Sequence, residues 1–192
     1  MRLFWPLLVG LLACATPARY MLSLDPFTPP ATAPQGEKVV VTPFTDEREV
    51  KEQGLIGSRG EGPTPIYLLQ GDPAVLLTQE VKDYLLRKGL VVGGESPPWD
   101  LTLKGLDPSW GPLVIGGKLR RLWVEVGGGP VPPCKAQVAV DFAVAKGRKV
   151  YWRKVELEVE RRLGAFKEEK VAKLLEDLLR EAIERGLSDL EG

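Results

Sequence analysis

The chain has 192 residues, 44% of them hydrophobic and 27% charged, enough for one globular core once any leader is set aside. Lys+Arg and Asp+Glu both number 26, so no broad basic field exists to attract nucleic acid. The sequence lacks His altogether, which excludes a Ser-His-Asp triad and removes the commonest metal ligand and general base.

The N-terminus places Arg2 before an apolar run of about ten residues that ends at Ala13-Cys14. Such a run is shorter than the roughly 20 apolar residues that span a bilayer, and it reads as a secretion signal over residues 1–13. A plain secretory signal and an uncleaved anchor are the rival readings. Residues 14–36 are rich in Pro, Ala and Thr and read as a semi-extended tether, which at about 3.3 Å per residue reaches roughly 70 Å. Tyr20-Met21-Leu22-Ser23-Leu24 alternates, so part of this stretch has an edge strand as its alternative. The absence of Asn and the Glu-, Arg- and Pro-rich composition fit a thermophile.

The folded domain is expected over 37–192. Lys38 to Phe44 is a β-branched run, hence a strand, with Pro43 near its end. A Gly/Pro-rich loop is expected from Glu49 to about Gly71. Asp72-Pro73 then opens a helix striped by Val75, Leu77, Val81, Tyr84 and Leu85 and closed by Gly89. Further strands are expected at Asp100–Lys104 and Leu122–Val126. The longest, Cys134–Ala145, turns through Lys146–Lys149 into Val150–Arg161, where Val155, Leu157 and Val159 oppose Glu156, Glu158 and Glu160. The C-terminal helix repeats apolar residues at Val171, Leu174, Leu175, Leu178, Leu179, Ala182 and Ile183, and Gly186 is expected to end it. The predicted fold class is α+β: a mixed, largely antiparallel sheet with two helices packed on one face.

Leu11-Leu12-Ala13-Cys14 resembles the bacterial lipobox. The resemblance implies cleavage before Cys14, lipid attachment to its thiol (palmitate among the acyl chains) and a chain held at the membrane. Ala15 in place of Asp leans toward the outer membrane, on its periplasmic face, over the inner one. The segment Val39-Val40-Val41-Thr42-Pro43-Phe44-Thr45-Asp46-Glu47-Arg48, then Gly54-Leu55-Ile56-Gly57 and a helix ending in Gly89-Leu90-Val91-Val92, resembles YajG-like bacterial lipoproteins. It is also similar to the auxiliary lipoproteins of ABC-type lipid transporters. The likeness covers about Glu37 to Val92 and includes Ile56-Gly57-Ser58-Arg59, which follows an "Ile-Gly-x-Arg" pattern. It implies a non-catalytic accessory role in the cell envelope, with another envelope protein as partner.

Four residues mark a possible partner-binding loop: Asp46, Arg48, Gly57 and Arg59. The plainer reading is a surface ion pair that holds the base of the loop. Trp99, Trp110, Trp123 and Trp152 are candidates for an apolar ligand groove, for lipid or glycan, against ordinary packing in the core or on the sheet. Asp141 is expected on the wetter side of its strand. With Glu156, Glu158 and Glu160 it forms a set of strand carboxylates better read as a solvated face than as a catalytic pair. Cys134, in an alternating strand, is expected to be a buried, inert thiol. The glycines from Gly54 to Gly62 lack the Gly-Lys-Ser/Thr ending of a phosphate loop. No cofactor, metal or catalysis is therefore expected.

Overall fold

Period-two runs become strands and period-3.6 runs become helices in the computed structural model, which describes residues 18–24, 36–50 and 52–191. The signal at 1–13, Cys14 and most of the tether lie outside the described residues. In chain order the elements are β1 (Tyr20–Leu22), β2 (Lys38–Val41), β3 (Thr45–Asp46), β4 (Leu55–Arg59), β5 (Thr64–Leu68) and α1 (Pro73–Arg87). Then follow β6 (Val91–Val92), β7 (Leu113–Val126), β8 (Pro133–Lys146), β9 (Lys149–Arg162) and α2 (Glu168–Leu187).

β7 is the spine of the sheet. β8 pairs antiparallel along one of its edges, while β2, β3 and β4 pair parallel to it in series. β5 lies antiparallel to β4 and carries β1; β6 lies beside β2, and β9 beside β8. The short strands thus supply parallel pairs, and the longest ladders are antiparallel. This open mixed sheet with two helices is the α+β fold expected from the pattern. Both helices cover one face. Cys134, Ala136, Val138, Val140, Phe142 and Val144 of β8 point into a core shared with Leu77 and Val81 of α1 and Leu175 and Ile183 of α2. The alternation of β8 and β9 sends Lys135, Gln137, Asp141, Lys154 and Glu156 to the opposite face.

Several boundaries differ from expectation, each for a physical reason. The folded part begins upstream of Glu37: β1 pairs with β5, and Leu22 and Leu24 are 1% exposed. The stretch expected to be a loop from Glu49 holds the β4–β5 hairpin. Its glycines are there for close approach as well as turning, because a Cβ on Gly57 would lie 2.1 Å from the carbonyl oxygen of Val124. Residues 100–104 form no strand. Thr102 caps a short 3-10 turn, and Leu101, at φ 63°, turns inward. The strand expected at Leu122 begins at Leu113, because Gly116 and Gly117 lie in it where Thr42, Trp99 and Phe44 crowd the backbone. In α1, Val75 is 64% exposed and Leu76 is buried instead, while Thr78 turns inward to accept from the Phe44 N–H and donate to the Ala74 carbonyl. Gly186 does not end α2. It lies inside the helix against the buried ring of Phe142.

Candidate functional site

β3 brings Asp46 alongside Leu119 of β7, and the chain then turns back on itself. Arg48 closes that turn. Its Nε and one terminal nitrogen donate to the two Asp46 oxygens at 2.8 Å each, and the other terminal nitrogen donates to the Leu55 carbonyl at 2.8 Å. The Arg48 side chain is 2% exposed. Burial works to raise the Asp46 carboxyl, but the hydrogen bonds and charge of Arg48 together outweigh it and hold the group below its ordinary value. The pair therefore ties Asp46 to Leu55 and offers its donors to the chain itself.

Arg59 joins a different group. Its guanidinium donates to the Tyr20 hydroxyl and lies 3.8 Å from the centroid of the Phe166 ring, while the two rings stand 4.8 Å apart. It ties the end of β4 to β1 and to the approach of α2. Asp46 pairs with Leu119, and Arg59 with Val126, so the two positions are separated by roughly 20 Å along β7 at about 3.4 Å per residue. Asp46 and Arg48 are thus brought together, whereas Gly57 and Arg59 serve strand packing and an aromatic clasp elsewhere.

The four tryptophans do not share a groove. Trp99 and Trp110 are buried with Val40, Leu101, Val114 and Ala143 in a second, smaller cluster on the sheet face away from the helices. The Trp99 indole N–H donates to the Thr102 carbonyl at 2.8 Å. Trp123 lies toward the far end of β7 and borders an open groove of about 600 Å³ with Arg48, Glu49, Arg120, Glu125 and Gln137. Trp152, half exposed, borders a separate cleft of about 350 Å³ with Tyr151, Val144, Leu187 and Leu190.

Arg120 is the hub that sequence reasoning missed. It is the extra residue of a bulge in β7, between Leu119 and Arg121. From there it donates to Asp141 at 2.9 Å and to Glu47, which also binds Lys118 at 2.7 Å. The Asp141 hydrogen bond, ahead of the Glu47 charge, holds the Arg120 guanidinium more firmly protonated. Asp141 is consequently 7% exposed, not on a wet surface as expected, because the bulge folds Arg120 over it. Two successive arginines between apolar neighbours break the period of two, and that break is the signal for the bulge. Glu158 is held by Lys135 and Gln137 on the same face. Cys134 is fully buried, and burial pushes its thiol up to about 11. Among the described residues, no group of three or more Cys, Asp or Glu is arranged to hold a metal ion.

No family model and no curated protein matches the chain. Solved structures do. An uncharacterised protein has 8% identity and a TM-score of 0.59, over 88% of this chain and 99% of its own. Protein XCC0632 from Xanthomonas campestris, of the DUF330 family, has 13% identity and a TM-score of 0.52, over 89% of this chain and 94% of its own. These likenesses show the fold alone.

Proposed function

We propose that the chain is a membrane-anchored bacterial lipoprotein acting as a non-catalytic accessory or interaction protein of the cell envelope. The observation that carries the reading is Leu11-Leu12-Ala13-Cys14 at the end of a short apolar run, followed by a Pro-rich tether. Two or three acyl chains on one cysteine hold a protein at a bilayer, where a single chain holds only marginally. Among the described residues no helix is long and apolar enough to cross a membrane; in this reading the lipid on Cys14 is the anchor. Ala15 favours the outer membrane. Charged groups bordering the grooves bond one another, as Arg120 does with Glu47 and Asp141, which suits a docking surface better than a reaction centre. Its partner is another envelope protein, with a lipid-transport assembly the candidate suggested by the sequence resemblance.

The alternative, a lipid- or glycan-binding module, draws less support. It needs tryptophans converging on one concavity, and Trp99 and Trp110 are packed into a core cluster instead. Membrane fractionation of a bacterium expressing the full chain tests the proposal. The native protein is expected in the outer-membrane fraction and Cys14→Ser in the soluble fraction. A native chain in the soluble fraction overturns the anchor.

A further inference from the structure

Among the described residues, the outer edge of β9 is the longest open edge of the sheet. β9 has 14 residues and pairs, among the described residues, with β8 alone; the strands at the other borders, β1 and β6, have three and two residues. Its ladder with β8 runs without a register shift, and β9 contains neither Pro nor Gly. It therefore lacks the bulges and prolines that commonly blunt an exposed edge; what guards it is charge, which restricts pairing to a strand of complementary pattern. The two-residue turn Gly147-Arg148 makes Lys146–Lys149 the closing pair of the hairpin, which exchanges both main-chain bonds. Alternation then points the N–H and C=O groups of Val150, Trp152, Lys154, Glu156, Glu158 and Glu160 outward along the free edge. Among the described residues, none of these six has a main-chain bond outside the β8–β9 ladder.

We propose that this edge pairs antiparallel with the β9 edge of a second copy of the chain, about a two-fold axis through Val155. Charge complementarity argues for a second copy as the partner, and charge together with the length of strand overlapped selects the register, since the Val155 axis pairs residues 149–161. With Val155 opposite itself, Lys154 of each copy faces Glu156 of the other and Tyr151 faces Val159; the like-charged pair, Lys149 with Arg161, falls at the two ends of the ladder on the helix-covered face. An axis through Lys154 or Glu156 sets that residue against itself. One through Leu157 sets Glu156 against Glu158, and one through Glu158 sets Glu156 against Glu160. The Val155 axis also places the outward-pointing residues 154 and 156 in a hydrogen-bonded pair, as the alternation requires. Lys154 and Glu156 are exposed and carry no ion pair among the described residues, so both charges are available. Tyr151 and Trp152, 54% and 50% exposed, lie on the same edge and become partly covered. Pairing of this kind adds about a dozen main-chain hydrogen bonds and joins the two sheets into one. The inference does not rest on the lipid reading.

Sedimentation equilibrium of the full chain in density-matched detergent tests it, with thermal melts to verify that each variant is folded. The native chain is expected to reach the mass of two copies. Glu156→Lys, which sets lysine against lysine, is expected to weaken association about tenfold. Lys154→Glu combined with Glu156→Lys is expected to restore it. A one-chain mass at every concentration overturns the proposal, as does a dimer indifferent to Glu156→Lys. Mild oxidation checks the register: Val155→Cys is expected to join two copies by a disulfide, and Leu157→Cys is not. The reverse pattern, or no crosslink at 155, overturns it.

Discussion

A guanidinium taken out of water needs a partner for each donor, and Arg48 finds its partners within ten residues of itself, in Asp46 and the Leu55 carbonyl. Arg48→Ala removes three hydrogen bonds and leaves the Leu55 carbonyl with one partner fewer. It is expected to lower unfolding free energy by about 2–3 kcal/mol in a urea titration and to expose residues 46–55 to proteolysis. The Asp46 carboxyl is held below its ordinary value in the fold, so it binds a proton more readily when unfolded. Its contribution is therefore fully present above the unfolded pKa of about 3.9 and is lost as pH falls through the lower folded value. The stability difference between the native chain and Asp46→Asn is expected to be constant near pH 7 and to shrink below about pH 4. A pH-independent difference would show that the ion pair contributes nothing. At this scale the sequence was legible where partners are neighbours, as with Asp46 and Arg48. The aromatic clasp of Arg59 was not, because Tyr20 and Phe166 lie far away along the chain and no local pattern joins them.

At the scale of elements, glycine separates what was legible from what was not. Apolar periodicity announced α2 and the β8–β9 hairpin, since long regular runs admit one reading. In the sequence pattern glycines stand as punctuation, yet several are packing positions. A Cβ on Gly186 would fall 2.3 Å from the Phe142 ring, which is fully buried and has no room to retreat. Gly186→Ala gains about 1 kcal/mol in helix propensity, yet overpacking of this kind costs about 1–3 kcal/mol. Net destabilisation is expected in thermal melts, partly relieved by Phe142→Leu. If Gly186→Ala alone stabilises the protein, the close contact is wrong. The same face-specific packing sorts the tryptophans. Trp110→Ala is expected to cost about 3–5 kcal/mol as a large core truncation, and Trp152→Ala less than about 1 kcal/mol. Equal effects would contradict the division between buried cluster and open edge. That division was not legible, because the segment after Gly93 packs on the sheet without a periodic pattern of its own.

Over the whole molecule, the helices bury one face of the sheet and the smaller tryptophan cluster covers part of the other, leaving a charged remainder open. The network of Lys118, Glu47, Arg120 and Asp141 links the residue after β3 to β7 and β8 on that open side. Composition and alternation made the α+β class legible. They left the domain start ambiguous, because Leu22 and Leu24 lie in a stretch whose prolines resemble a linker and reveal themselves only when β5 is present to pair with. The proposed membrane-held accessory depends on Cys14. The most direct test is the intact mass of the chain extracted from membranes, with Cys14→Ser beside it. The expected result is a chain that begins at Cys14 and carries two or three acyl chains, a mass increment absent from Cys14→Ser. An unlipidated chain, with the native protein and Cys14→Ser equally soluble, would contradict it.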